Sequence, residues 1–256
     1  MNIKDEVIKQ FGNNSEHYVN SKGHATGKDL EMMLEVSGID NNSTLLDIAT
    51  GGGHTANAFA PYVKKVIAYD LTPEMLKAAK KFIEANGHAN VDFVQGDAEN
   101  LTFEDETFDF VTCRIAAHHF PNIKQFTKEV YRVLKVDGYF LFIDNVAPEI
   151  EELDQFYNGI EKMRDSSHFR AWKKSEWIKL LEEEKFRIES MNRFEKRFDF
   201  VDWCGRMNIS ETQKKELENK ILNSSQIIKD HFNFEIDKSL VKGFTGESIL
   251  IKAKKF

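Results

Sequence analysis

The chain has 256 residues, 41% of them hydrophobic, and a formal net charge of −7. That length suits one sizeable core with an appended lobe; no apolar run nears the ~20 residues that cross a bilayer, and the acidic balance argues against a nucleic-acid partner. Cys113 and Cys204 are too few for a disulfide framework or a four-ligand zinc site, and Met1-Asn2-Ile3-Lys4-Asp5-Glu6 lacks the apolar stretch of a secretion signal, so a cytoplasmic location is expected.

Residues 1–12 and about 24–37 read as helices, the second with Leu30, Met33, Leu34 and Ser37 near one face. A strand over 44–49 is followed by Thr50-Gly51-Gly52-Gly53 and a helix over 53–60 that stops near Pro61. A second strand over 65–70 ends in Asp70. Pro73 suits a first helical turn, where its missing N–H is harmless. Met75, Leu76, Ala79, Phe82 and Ile83 continue that helix until Gly87. Strands over 91–95 and 108–113 come next, then an amphipathic helix marked by Ile123, Phe126, Val130, Val133 and Leu134. Asp137-Gly138 turns into a fifth strand over 138–146.

After Pro148 the pattern changes. Ile150, Leu153, Phe156, Tyr157, Ile160 and Met163 form a helical stripe, and a further helix spans about 175–185. Residues 185–195 read as strand six and 244–254 as strand seven, with 199–230 mostly helical between them. The alternation predicts an α/β fold: a Rossmann-like, doubly wound, mainly parallel sheet of seven strands with helices on both faces. No internal repeat or low-complexity segment interrupts it.

The turn after strand one carries the functional signal. Glycines let the backbone approach a ligand at the carboxyl edge of a parallel sheet. An acid at the end of strand two can accept from two ribose hydroxyls. A dinucleotide turn requires glycine at the first, third and sixth positions of G-x-G-x-x-G, where this chain has Ala49, Gly51 and His54. No Gly-Lys-Ser/Thr follows, so there is no P-loop. The remaining D-x-A-x-G-G-G suits a ligand with a ribose and an amino-acid tail but no phosphate. S-adenosylmethionine fits that description; the alternative is a tight turn without a ligand.

These residues resemble motif I of class I S-adenosylmethionine-dependent methyltransferases, with Ala49 where many members have their first glycine. The resemblance continues through Val94–Phe103, Phe108–Arg114 and Glu129–Lys135 and covers about 40–148. The pattern is most similar to the small-molecule branch that includes the ubiquinone/menaquinone-biosynthesis C-methyltransferases. Cys113–Phe120 resembles a bacterial subgroup without an assigned substrate.

The resemblance implies S-adenosylmethionine as cofactor. It gives Asp47 to the methionine amino group, directly or through water, and gives Gly51 and Gly53 the task of leaving room for the methionine portion. Asp70 would hold the ribose and Leu71 flank the adenine. Asp97 would accept from the adenine amino group beside the backbone N–H of Ala98, and Arg114 and Ala116 would follow the sulfonium region. Tyr18, within Phe11–Tyr18, corresponds to a tyrosine that closes over the methionine tail. Each has a plainer alternative: Asp47 as the cap of its own turn, Asp97 in an Asx-turn, Tyr18 on the surface. His24 reads as a surface or cap residue.

His118 and His119 form the candidate catalytic pair. Histidine titrates near neutrality and can take a proton from a nucleophile. The alternative is packing beneath the sheet edge, since proximity to a sulfonium often suffices for methyl transfer. Arg164, His168, Arg170 and Trp172 are candidates for an acceptor site. The alternative there is a solvated loop with the tryptophan closing the core. No metal site is expected, because adjacent histidines lack the i, i+4 spacing of a helical ligand pair.

A single domain follows: an amino-terminal helical cap over 1–39, a cofactor-binding core over 40–148, lid insertions plus strand six over 149–243, and a final strand over 244–256. The lid is expected to be mobile and to have few links to the sheet. The expected activity is methyl transfer to a small-molecule acceptor by in-line displacement, releasing S-adenosylhomocysteine, with no nucleic-acid partner. A nicotinamide-dependent oxidoreductase and a non-catalytic S-adenosylmethionine-binding module remain alternatives. The acceptor, the atom methylated and the oligomeric state are not legible.

Overall fold

Alternating strands and amphipathic helices form a layered sheet because each buried strand has two apolar faces and each helix one. The computed structural model describes residues 3–19 and 27–256, with side chains for 3–12 and 27–256. The first half runs α1 (Ile3–Val19), α2 (Lys28–Ser37), β1 (Thr44–Ile48), α3 (His54–Phe59), β2 (Lys65–Asp70), α4 (Pro73–Ala85), β3 (Val91–Gln95), β4 (Phe108–Arg114), α5 (Ile123–Val133) and β5 (Leu134–Val146). The second half runs α6 (Glu151–Arg164), α7 (Lys174–Glu183), β6 (Arg187–Asp199), α8 (Phe200–Gly205), α9 (Glu211–Leu222), α10 (Gln226–His231), β7 (Glu235–Asp237) and β8 (Leu240–Lys254). No described helix is long and apolar enough to cross a membrane.

Strand order is β3-β2-β1-β4-β5-β8-β6. Strands β1 to β5 are parallel, and β8 lies antiparallel between β5 and β6. The expected Rossmann-like sheet is present. Short β7, paired with β8, adds an eighth strand that the sequence pattern did not announce. Strand five begins earlier than expected, at Leu134. Leu134 pairs with Phe108 before the register shifts around Asp137, whose φ is 66°.

Side-chain alternation along each strand feeds two separate cores. Leu45, Val66, Phe110, Leu141 and Ile143 join Leu30, Met33, Phe59 and Ile83 of α2, α3 and α4. Leu46, Val111, Phe140 and Phe142 join Phe126, Val130, Val133, Trp177 and Leu181 of α5 and α7. Fully burying one such side chain contributes roughly 1.5–3 kcal/mol. Cys113 and Cys204 are both buried and unbonded, in different cores.

The lobe corrects one expectation. It was expected to have few links to the sheet. Instead β6 and β8 pair from Arg187 with Lys254 to Asp199 with Gly243, with one register shift between Ile188 and Ser190. The β8 partners of β5 end at Glu247, so the ribbon runs past the sheet and carries the lobe. A third core then closes it, built on Phe156, Tyr157, Phe200, Trp203, Leu217, Phe232 and Phe244. Strand six starts two residues later and ends four residues later than expected, at Asp199, because its outer half pairs in this ribbon rather than giving way to a helix.

Candidate active site

Three parallel strands end in acids, each following an apolar run: Asp47 in β1, Asp70 in β2 and Asp144 near the end of β5. Asp47 is 1% exposed. It accepts from Thr50 Oγ1 at 2.6 Å and Thr112 Oγ1 at 2.7 Å. Burial lifts its carboxyl to about 6 against those hydrogen bonds. Thr50 is thereby fixed at the turn. Ala49 and Gly51 then adopt φ of 54° each, a left-handed region that disfavours alanine. A Cβ on Gly51 would come within 3.5 Å of Met75 Cε.

Asp70 accepts from Gly51 N at 2.8 Å and Thr72 N at 2.9 Å, one on each oxygen. A carboxylate offers about four acceptor positions, so each oxygen retains capacity for a ligand hydroxyl. Burial raises its pKa against these N–H donors.

The cavity at this edge is lined by Ala49, Thr50, Gly51, Asp70, Leu71, Asp97, Ala98, Arg114 and Ala116, with Tyr69 and Phe120 as aromatic walls. Lys4, Val7 and Phe11 of α1 complete it. Lys4 reaches both Asp97 and Glu99. Arg114 pairs with Asp29 of α2 at 2.9 Å. A carboxylate with spare acceptors, glycine-lined backbone, apolar flanks and a distal acid fit S-adenosylmethionine.

A second cavity adjoins the first. Phe11, Ile115 and His119 line both, while His118, Asn145, Arg164, Lys196, Phe198 and Trp203 line only the second. Ile115 has φ of 56°, a strained value for a β-branched residue. Its N–H donates to Ile143 O at 2.7 Å, which holds the turn.

His118 Nδ1 lies 2.7 Å from Asp144 Oδ1, and His118 N donates to Asp144 Oδ2 at 2.9 Å. Burial opposes charge on His118, but the Asp144 carboxylate outweighs it and the pKa is raised. His119 behaves oppositely. Burial and then the charge of His118 lower it to about 4, with Nδ1 3.0 Å from Ser167 O. The carbonyl of His118 accepts from Phe169 N and Arg170 N, both at 2.9 Å, which ties the lobe to the site loop.

Not every expected site residue lies in the cavity wall. Asp47 and Gly53 do not line the cavity. Asp47 fixes the turn through Thr50. Gly53, with φ of 81°, is needed for packing, because a Cβ there would meet Ile83 Cδ1 at 2.9 Å and Ala79 Cβ at 3.0 Å. Asp97 makes the Asx-turn, accepting from Glu99 N at 2.9 Å, and also lines the cavity. Both histidines face the second cavity and only His119 faces the first. The side chain of Tyr18, and His24, lie outside the described residues.

Of the acceptor candidates Arg164 alone lines the second cavity, with Glu161 Oε2 2.7 Å away. His168 is spent on Asn158 Oδ1 at 2.9 Å, and burial takes its pKa down to about 3. Arg170 pairs with Asp154 at 3.0 Å and lies over the ring of Trp172. Those two form a structural staple. Among the described residues no group of three or more His, Cys, Asp or Glu is arranged to hold a metal. The sequence reading did not single out Lys4, Ile115, Asp144, Asn145 or Lys196, and it gave Trp203 no more than a packing role.

Comparison with known proteins places this fold and its motifs in a family. A methyltransferase domain model matches residues 46–142. The uncharacterized methyltransferase YcgJ of Bacillus subtilis is 36% identical over 90% of each chain. The ubiquinone/menaquinone biosynthesis C-methyltransferase UbiE of Bartonella henselae is 32% identical, covering 69% of this chain and 68% of its own. The crystal structure of a methyltransferase-like protein from Bacillus halodurans superposes with TM-score 0.88 at 52% identity, covering 90% of this chain and 99% of that one.

Proposed function

The chain belongs to the S-adenosylmethionine-dependent methyltransferases, and from this premise we propose that it methylates a small-molecule acceptor held in the second cavity. The observation that carries this reading is the shared wall: Phe11, Ile115 and His119 line both cavities. Neither the nicotinamide reading nor the non-catalytic one draws support from the family match or the relatives.

The first cavity would hold S-adenosylmethionine, whose sulfonium methyl would be the group passed in line to the acceptor nucleophile, with S-adenosylhomocysteine as the leaving group. Asp70 would accept from the ribose hydroxyls and Asp97 from the adenine amino group, with Leu71 and Ala98 against the ring. Ala49, Gly51, Arg114 and Ala116 would follow the methionine portion. Asp144 keeps a proton on Nδ1 of His118, which leaves Nε2 as the basic atom. Nε2 of His118 would take the proton lost by the acceptor nucleophile. His119, held neutral by burial, would shape the boundary between the two cavities. Acceptors of cavity size are also consistent with the acidic net charge of −7, which disfavours nucleic acid.

Calorimetry with S-adenosylhomocysteine and with NAD tests the cofactor half of this reading. The expected result is clear preference for S-adenosylhomocysteine, with Asp70→Ala weakening it by roughly 1–3 kcal/mol. Preference for NAD, or an Asp70→Ala variant that binds as tightly as the parent, would overturn the assigned roles.

A further inference from the structure

The second cavity contains groups that the protein itself leaves unmatched. Lys196 reaches it from β6 and is only half-buried. Its ammonium has no hydrogen bond or ion pair among the described residues. The carboxylates in the same wall are committed elsewhere. Glu161 pairs with Arg164 at 2.7 Å, and Asp165 accepts from Ser167 N at 2.9 Å. Burial lowers the pKa of Lys196, with Arg114 and Arg206 adding to that and Asp29 and Asp144 opposing it. A cation in that setting gains from an incoming anion.

Two further polar groups lack partners. Trp203 is 1% exposed, and among the described residues its indole N–H has no acceptor and the amide oxygen of Asn145 has no donor. Buried polar groups without partners are rare in folded proteins. The guanidinium of Arg164 lies 4.8 Å from the Trp203 ring and fixes it. Phe11 and Phe198 give the cavity flat apolar walls. Its volume is about 110 Å³, and it adjoins the first cavity at Phe11, Ile115 and His119, so a ring seated there borders both.

We propose that the acceptor is a small planar acid, a single ring or similar skeleton whose carboxylate pairs with Lys196. Trp203 supplies a second donor, and Asn145 accepts from a hydroxyl or amino group on the same molecule. A monoanion fits better than a phosphate dianion, because Glu161 and Asp165 line the same cavity and the charge of Asp144 already acts on Lys196. The proposal rests on the methyltransferase reading above and adds the chemical class of its acceptor.

The test uses the full chain saturated with S-adenosylhomocysteine. Benzoate and its neutral isostere benzamide serve as probes, with affinities measured by ligand-observed NMR. Benzoate is expected to bind about tenfold more tightly, the size of one charge-assisted hydrogen bond. That preference should vanish in Lys196→Met and persist in Lys196→Arg, with S-adenosylhomocysteine affinity unchanged in both. Equal binding of the two probes to the parent protein, or a benzoate preference that survives Lys196→Met, overturns the proposal. Failure of S-adenosylhomocysteine to bind at all would instead overturn the reading beneath it.

Discussion

The two cavities are built in different ways. The first is mostly local. Ala49 to Gly51, Asp70 to Thr72 and Gly96 to Ala98 are three short turns at the ends of adjacent parallel strands. The second is assembled from distant segments: α1, the turn after β4, the end of β5, α6, β6 and α8. A nucleoside site can therefore be fixed by a few contiguous motifs, while an acceptor site depends on how a lobe settles against them. That contrast separates substitutions that alter acceptor chemistry from those that alter cofactor affinity.

The largest effect is expected at the His118–Asp144 pair. Asp144→Asn removes the charge that raises His118 and the acceptor that fixes its tautomer. Turnover should fall roughly 10²–10⁴-fold, with S-adenosylhomocysteine affinity unchanged by calorimetry. In the parent, the acid limb of the pH–rate profile should lie above the ordinary histidine value, because the raised imidazole must be neutral to act as a base. In Asp144→Asn that limb should move to lower pH. Unaltered turnover would remove this pair from the chemistry.

Arg164→Met tests the lobe side of the contrast. It leaves the buried carboxylate of Glu161 without its 2.7 Å partner. Removing one member of a buried pair typically costs about 3–5 kcal/mol, and denaturant titration should read a loss of that order. A stable variant would mean that the pair is more solvated than its burial indicates.

Much of this was legible in the sequence, for physical reasons. Asp70 and Gly51 were legible because a parallel strand, a tight turn and a helix N-terminus are contiguous in the chain. Asp144 follows Phe140-Leu141-Phe142-Ile143 just as Asp70 follows its own apolar run. The same signal, an acid at the carboxyl end of a buried strand, would have found it. Ile115 carried no signal, since a positive φ at a β-branched residue is imposed by the surrounding turn. Lys196 and Trp203 were equally silent. In sequence they belong to an alternating strand and a short helix, and only the β6–β8 ribbon brings them to the cavity. Arg170 and Trp172 were ambiguous for the complementary reason: a cationic and aromatic cluster stacks on itself as readily as on a ligand.

A smaller effect concerns pH and stability. His119 and His168 have folded values near 4 and 3, below the unfolded value of about 6.5. Their stabilisation is present above pH 6.5 and is lost as pH falls toward those values. Asp47, raised to about 6, opposes one of them, since its burial favours the folded state as it protonates between pH 6 and 4. Asp70, also raised by burial, opposes the histidines in the same way, whereas His231, Glu161 and Asp165, all lowered, add to the loss, so the balance is a fall in stability as pH drops. Thermal melts should show a steady fall in Tm from pH 6.5 to 4. A flat profile would indicate that the histidine cluster is open to water.

The smallest effect is expected at Arg170, which is partly exposed and shares its charge between Asp154 and Glu176. Arg170→Ala should lower stability by about 1 kcal/mol or less and leave acceptor turnover unchanged. Impaired turnover with normal stability would return Arg170 to the acceptor site and weaken the division between the two cavities.

The most direct measurement is a crystal structure of the full chain with S-adenosylhomocysteine. The account predicts the ribose hydroxyls on Asp70, the adenine between Leu71 and Ala98, and the sulfur at the wall formed by Ile115 and His119, facing the second cavity. A nucleoside bound away from Asp70, or a sulfur directed away from Ile115 and His119, would contradict it.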